Sequence, residues 1–300
     1  MSTFLMRILL FLALFSNTIY AQNILLQYNL KIGDSIKVFQ KADQSIVQDL
    51  NGAKHELKNA LEGEYTFVVT HKTDSLYTIF FTFDRLKLST TSNLSGEIVN
   101  IDTNNEVSDL DIQAKIFSAM VGAKLKMEMY KNGKIKSITG SEKMITNMVN
   151  NAGLSDEFTK QLMVETMKKE FGNKSLTNSF EQMTYIYPQN KVTIGDTWSN
   201  NYMGKINAKN IWKLEAINEK NFLLNGKSEV KMFTSDDNII MTLEGNQQTS
   251  ITAEKQNGFI KGLTVNLKAE GISIMEQMKD PEIPTKITSI TTYKTIKHVQ

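Results

Sequence analysis

Long runs of alternating polar and apolar side chains, separated by short turn signals, constrain this chain more than any other feature. The run "LYTIFFTFDRLKL" at residues 76–88 is the clearest. Side chains on an extended strand point alternately to opposite faces, so such a run suits a sheet with one face covered. Tyr77, Ile79, Phe81 and Phe83 fall on one face, with Thr78, Phe80 and Thr82 on the other. Aromatic rings on both faces are more than a sheet wetted on one side would carry. "EYTFVVT" at 64–70 precedes this run, after a turn at Asn51-Gly52, where both residues tolerate positive φ. In the stretch before that turn, Ile36, Val38 and Ala42 alternate with Lys37, Lys41 and Asp43, but Phe39 and Gln40 break the pattern.

The runs fall into two series. Ile32-Gly33-Asp34-Ser35 opens the first and Ile194-Gly195-Asp196-Thr197 the second. The first closes on "MEMYKNGKIKSITG", a hairpin around Asn132-Gly133. The second passes through "NIWKLEAI", "FLLNGKSEVKMF" and "NIIMTLEG", with turns at Asn218-Glu219-Lys220 and Ser235-Asp236-Asp237, and closes on a hairpin around Asn257-Gly258. Matched openers and closers in the same order read as an internal duplication of an antiparallel meander, the first copy longer mainly across residues 92–121. The bland alternative is that these are ordinary turn dipeptides. On either reading Gly-Asp starts a strand and is not a catalytic pair.

Residues 1–21 have a different texture. Arg7 is their only charge, the apolar run 8–15 follows it, and Ala21 ends a short polar-to-small stretch. This is the order of a secretory signal peptide, with the mature chain expected to start at Gln22. A membrane-spanning helix needs roughly 20 apolar residues, more than this run offers. The sequence has no cysteine, which removes disulfides, thiolate metal sites and thiol nucleophiles. A chain near this size buries about 75% of its unfolded surface, enough for an uncrosslinked core. Its formal net charge of +2 is spread in mixed sign, so nucleic acid is not an expected partner.

Between the series, residues 141–189 change to helical spacing. Met144, Ile145, Met148 and Val149 give one apolar stripe, ended by Gly153. Ser155 is a natural cap for a second helix carrying Phe158, Leu162, Met163 and Met167 and ending at Gly172. A third runs from Ser175 through Leu176, Phe180 and Met183 to Tyr187, before Pro188. Three short amphipathic helices must pack on a face, or cover a mouth, of the sheet. The fold class expected is therefore α+β and strand-dominated: two related antiparallel meander-like halves, curved sheets or partial barrels, at 22–140 and 190–300, bridged by the helical segment 141–189.

One stretch, "YIYPQNKVTIGDTW" at 185–198, couples a helical tail closed by proline to a Gly-Asp-Thr-Trp strand opener. It resembles a family of secreted bacterial proteins catalogued only as a domain of unknown function. "NLKIGDSIKVFQ" at 29–40, "TFDRLKL" at 82–88 and "IPTKITSITTYK" at 283–294 are similar too. The resemblance covers nearly all of the mature chain. It implies the fold and secretion, and no activity.

Chemical motifs are sparse. His55, His71 and His298 stand alone, without a second ligand at zinc spacing. Asp102, Asn104 and Glu106 imitate the start of a calcium loop, but Val107 holds the glycine position and Gln113 replaces the bidentate glutamate, so an exposed loop is the plainer reading. Ser228 and Lys231 have the spacing of a helical Ser-x-x-Lys pair, yet sit in a strand pattern that points them to opposite faces. The pairs Met144/Met148, Met163/Met167 and Met127/Met129 could offer thioethers to cuprous copper, or form a deformable apolar lining. Catalytic residues, metal and cofactor are therefore expected to be none.

Three function classes stay open: an exported binding protein for an apolar or lipid-like ligand, a structural or interaction module of the cell envelope, and a hydrolase whose paired carboxylates no motif reveals. For the first, the expected lining is Tyr77, Ile79, Phe81 and Phe83 on the sheet and Met144, Met148, Met163 and Met167 on the helices, although the same side chains could simply fill a core at normal density. Location is expected to be the periplasm or the medium. N-terminal sequencing of the exported protein is expected to start at Gln22, and a protein that keeps Met1 in a membrane fraction would contradict it.

Overall fold

The computed structural model describes residues 23–108, 111–236, 239–275 and 282–299. The signal peptide expected over residues 1–21 lies outside the described residues, as does part of the turn expected at Ser235-Asp236-Asp237. In chain order the elements are β1 (Ser35–Leu50), β2 (Ala53–Lys72), β3 (Leu76–Ser92), β4 (Gly96–Asp102), α1 (Ile112–Ser118), β5 (Lys124–Tyr130), β6 (Ile135–Thr139), α2 (Ser141–Asn151), α3 (Glu157–Phe171), α4 (Asn173–Thr184), β7 (Thr197–Tyr202), β8 (Ile206–Ile217), β9 (Asn221–Asp236), β10 (Ile239–Glu254), β11 (Ile260–Met275) and β12 (Glu282–Val299).

The strands form a single sheet of 12, in the order β6-β5-β3-β2-β1-β12-β11-β10-β9-β8-β7, with β4 pairing β3. The first half is a meander running from the centre out to edge strand β6, the second runs from edge strand β7 in to the centre, and there β1 joins β12 from Ser35↔Val299 to Gln48↔Thr285. The fold is thus α+β and strand-dominated. The two Gly-Asp openers share one local geometry. Gly33 and Gly195 both have φ +96°. Asp34 and Asp196 each accept from the amide three residues earlier, both at 2.8 Å. Gly33 and Gly195 donate to Val69 and Leu214 on the neighbouring strands. The opener is therefore a side-chain-locked turn that sets the register of the next strand.

One short segment curls the sheet. Glu181 of α4 accepts from the Ile135 amide on edge strand β6, at 3.0 Å. Immediately downstream, the Ile186 carbonyl accepts from Trp198 Nε1 on edge strand β7, also at 3.0 Å. Tyr185 accepts from Asn200 and Tyr202 of β7. Both edges thus meet the same stretch of chain, β6 through one backbone amide and β7 through three side chains.

Residues 24–30 then cross one end of the curl as a plug. Ile24 pairs with Val192, Tyr28 donates from its amide to Lys131, and Asn29 to Asn257. The phenol of Tyr28 donates to Thr184 and that of Tyr77 to the Tyr28 carbonyl, each at 3.0 Å. Leu26, Tyr28 and Leu30 are buried in one hydrophobic cluster that draws on both halves of the chain. Phe180 of α4 sits edge-on to Phe81, with centroids 4.7 Å apart, and also meets Tyr65 and Phe67.

The helices depart from the sequence expectation in detail. Asp156, not Ser155, caps α3, its carboxylate accepting from the Thr159 amide at 2.7 Å. An acid there also meets the positive end of the helix dipole. The third helix runs Asn173–Thr184, so residues 185–187 are extended and free to bond the sheet edge. Residues 92–121, read as an insertion with an exposed loop, contain β4 and α1. Seven-residue elements show too few periods to stand out from a loop.

The Asn-Gly turns at Gly133 and Gly258, unlike the open one at Gly52, are closed down by the base. Beyond requiring positive φ, Gly133 and Gly258 leave no room for a side chain: a Cβ would lie 1.7 Å from the Thr184 carbonyl oxygen and 2.2 Å from that of Gln27. At Gly195 nothing lies within 4 Å of such a Cβ. Gly195→Ala is expected to cost only the left-handed strain of about 1–2 kcal/mol, and Gly258→Ala roughly 1–3 kcal/mol more from overpacking. Equal denaturation midpoints for the two variants would contradict the plug.

Candidate functional site: an uncharged groove beneath the helices

Above the plugged base the inner face of the sheet and the helices do not meet, and a groove of about 860 Å³ lies between them. Its floor comes from β1, β2, β3, β4, β8, β10, β11 and β12, and its roof from α1, α3 and α4. The strands alternate, so each sends every second side chain inward. Ile36 and Val38 of β1 are buried at the base, and Gln40, Ala42 and Gln44 follow them along the same face into the groove. On β12, Tyr293, Thr291 and Ser289 stand opposite those three residues.

The lining is mixed in polarity and, among the described residues, carries no charge. Leu61, Leu88, Val99, Ile206, Val265 and Leu267 supply apolar floor, with Ile112, Ile116, Phe117, Met163 and Met167 opposite. Amides and hydroxyls run between them. Thr90 donates to Asn59 Oδ1 at 2.9 Å, and Asn59 Nδ2 donates to Gln44 Oε1 at 3.0 Å, a relay across three strands. The Tyr65 phenol donates to Gln40 Oε1 at 2.7 Å. It can reach because Gly63 offers no Cβ, which would stand 2.4 Å from that hydroxyl. Burial pushes the Tyr293 phenol up to about 12, so it keeps its proton at neutral pH.

Charges sit on the outer face. Lys37 lies 2.7 Å from Glu64, and Arg85 grips Asp102 with two hydrogen bonds of 3.1 and 2.6 Å. Asp102, the first residue of the calcium-like run, is thereby committed to Arg85. Ser228 is bonded to Asn210 on the inner face, while Lys231 pairs with Glu244 on the outer, so the two do not meet. His55 is held between Gln48 (3.1 Å) and Ser92 (3.0 Å) beyond the far end of the groove.

Helix α3 is the roof's most weakly held part. Its packing partners are α2, α4 and, through Phe171 edge-on to Phe117, α1; none of its residues is fully buried, and Lys205 pairs with Glu170 near its C-terminus. Met163 and Met167 face the groove, whereas Phe158 and Leu162 are 75% and 60% exposed. The expected apolar stripe is thus split between two faces.

Of the eight side chains expected to line a pocket, the structure brings Met163 and Met167 to the groove. Tyr77, Ile79, Phe81, Phe83, Met144 and Met148 lie in the filled core at the base. Gln40, Gln44, Asn59 and Tyr293 were not anticipated. The signal for the first was the break in alternation at Phe39-Gln40: Gln40 keeps the inward phase, but the face it joins has become polar. Among the described residues no cluster of His, Asp and Glu could hold a metal ion, and no helix is long and apolar enough to cross a membrane.

The profile of a family of unknown function, DUF6263, matches residues 74–260. No curated protein matches the sequence. Among solved structures, one describing lipid–protein interactions in lipovitellin aligns with 90% of this chain at 9% identity and a TM-score of 0.51. The chain spans about a quarter of that protein, 26% of its length, so the likeness is one of fold over part of it. An outer membrane channel from Pseudomonas putida F1 aligns over 90% of this chain and 97% of its own at 9% identity and a TM-score of 0.25.

The Arg85–Asp102 pair holds β4, and with it the Val99 wall, against β3. The Arg85 hydrogen bonds, chiefly, keep the Asp102 carboxyl below its usual range. A depressed carboxyl stabilises the fold above its unfolded value of about 3.9 and loses that contribution as pH falls through the folded value. Asp102→Asn is expected to lower the thermal midpoint at pH 7, with the gap from the parent narrowing as pH drops below the carboxylate range. A gap independent of pH would contradict this.

Proposed function

Because the chain belongs to DUF6263, a family of unknown function, its role rests on its own groove, and we propose that it is an exported, non-catalytic carrier of an apolar or lipid-like ligand. The observation that carries this reading is the uncharged groove of about 860 Å³, floored by the sheet and roofed by a helix that packs on other helices. Ligand sites are typically concavities of roughly 300–1,000 Å³ with mostly apolar walls and a few placed polar groups. Water alone would be a poor occupant of a space walled by Leu61, Leu88, Ile116, Phe117, Met163 and Met167. Methionines suit a variable acyl chain because an unbranched thioether adapts to irregular shapes.

Partial likeness to lipovitellin supports the same reading, since that structure concerns lipid–protein interactions on a shared fold. The non-catalytic part rests on the lining itself. It offers hydroxyls and amides, with no carboxylate, imidazole or ammonium among the lining residues to activate them. Export rests on the pattern of residues 1–21.

Gently purified protein is expected to carry lipid, seen as added mass in native mass spectrometry and identified after extraction. Met167→Trp, which fills the groove from its roof, is expected to weaken binding of an apolar fluorescent probe at least tenfold. Its thermal midpoint should stay within a few degrees of the parent. Protein that carries nothing and shows no saturable probe binding would end the carrier reading.

A further inference from the structure

Polar groups on the groove floor narrow the ligand's chemistry, and the argument rests on the carrier reading above. Gln40 and Tyr293 are cross-strand partners on β1 and β12, and Gln44 stands opposite Ser289 two inward positions further along. The carboxamide oxygens of Gln40 and Gln44 are occupied by Tyr65 and Asn59. That holds both groove-lining side chains by their oxygens and leaves their N–H groups for another acceptor. Neither amide nitrogen, nor the Tyr293 hydroxyl, has a hydrogen-bond partner among the described residues. None of them is a sealed orphan, because the buried unpartnered atoms lie elsewhere, on Asp34, Ser118, Ser141 and His298. Three unspent donor groups on one floor, open to the cavity, form a recognition patch for an oxygen acceptor.

The same floor says which acceptors it refuses. Among the described residues, no lysine, arginine or histidine lines the groove. A carboxylate or phosphate drawn onto the patch would shed its hydration without a cation in return, which is strongly unfavourable in an apolar surround. An ester carbonyl or a hydroxyl loses far less and is satisfied by the donors present. Gln40 and Gln44 lie among Leu61, Leu88 and the roof methionines, so an acyl chain attached to such a head has apolar wall to follow.

We propose that the groove selects neutral acyl amphiphiles, of the glyceride or long-chain ester and alcohol class, by donating hydrogen bonds from Tyr293, Gln40 and Gln44 to an uncharged oxygen head. Ionised fatty acids and phosphate-bearing lipids are discriminated against.

The test is displacement of an apolar fluorescent probe from the mature full chain by monooleoylglycerol, oleate at pH 8.5 and dioleoyl phosphatidic acid, each below its aggregation concentration. Monooleoylglycerol is expected to compete at concentrations at least tenfold lower than either anion. Tyr293→Phe should raise its competing concentration about fivefold once any change in the probe's own affinity is divided out, with the thermal midpoint unchanged. Equal competition by the anions, or a Tyr293→Phe variant that still binds monooleoylglycerol as the parent does, overturns the proposal and leaves the carrier reading intact. Failure of the probe itself to bind saturably overturns both.

Discussion

The hydrogen bonds from residues 181–187 to both edge strands are what the rest of the molecule depends on. A sheet of 12 strands ends in two rows of unpaired backbone groups, and an exposed edge of that kind invites pairing with another chain. Here Glu181 serves β6 while the backbone carbonyls of Tyr185 and Ile186 serve β7, so two distant edges are tied to one stretch. Curling follows from that tie. Without it, residues 24–30 would have no closed end to plug, and the aromatic cluster around Tyr28, Phe81 and Phe180 would face water.

The groove is a consequence of length. β2, β3 and β12 have 20, 17 and 18 residues, and an extended chain rises roughly 3.3 Å per residue. Plug and α4 fill only the base of walls that long. What remains of the inner face is roofed by α1, α3 and the Ser179–Gln182 side of α4, and α3 packs on helices and not on the floor. Side-chain chemistry follows the same gradient. The inner face of β1 reads Ile36, Val38, then Gln40, Ala42, Gln44, apolar where it meets the plug and uncharged but polar where it meets the hollow. Keeping Lys37, Glu64, Arg85 and Asp102 on the outer face spares the groove charges that would otherwise need burying.

Sequence alone determined the elements whose cause is local. Alternation over 13 or more residues admits only a strand, because only an extended chain has a period of two. Gly33 and Gly195 had to be turns, since few other residues take positive φ, and each lies in the same Asp-locked geometry. Met144 and Met148 read as an apolar helix face, and α2 carries them buried.

Only the tertiary structure decided which apolar residues fill the core and which line the groove. Tyr77, Ile79, Phe81 and Phe83 look no different in sequence from a pocket lining; the plug at residues 24–30, distant along the chain, makes them core. Met163 and Met167 face the hollow, and Phe158 and Leu162 face outward, because the orientation of α3 is set by α2 and α4 and not by its own stripe. Gly133 and Gly258 announced turns, but nothing local could show that carbonyls of Thr184 and Gln27 press against them. Periodicity reports which side of an element is covered; what covers it, and whether contact is complete, depends on distances between segments far apart in the chain.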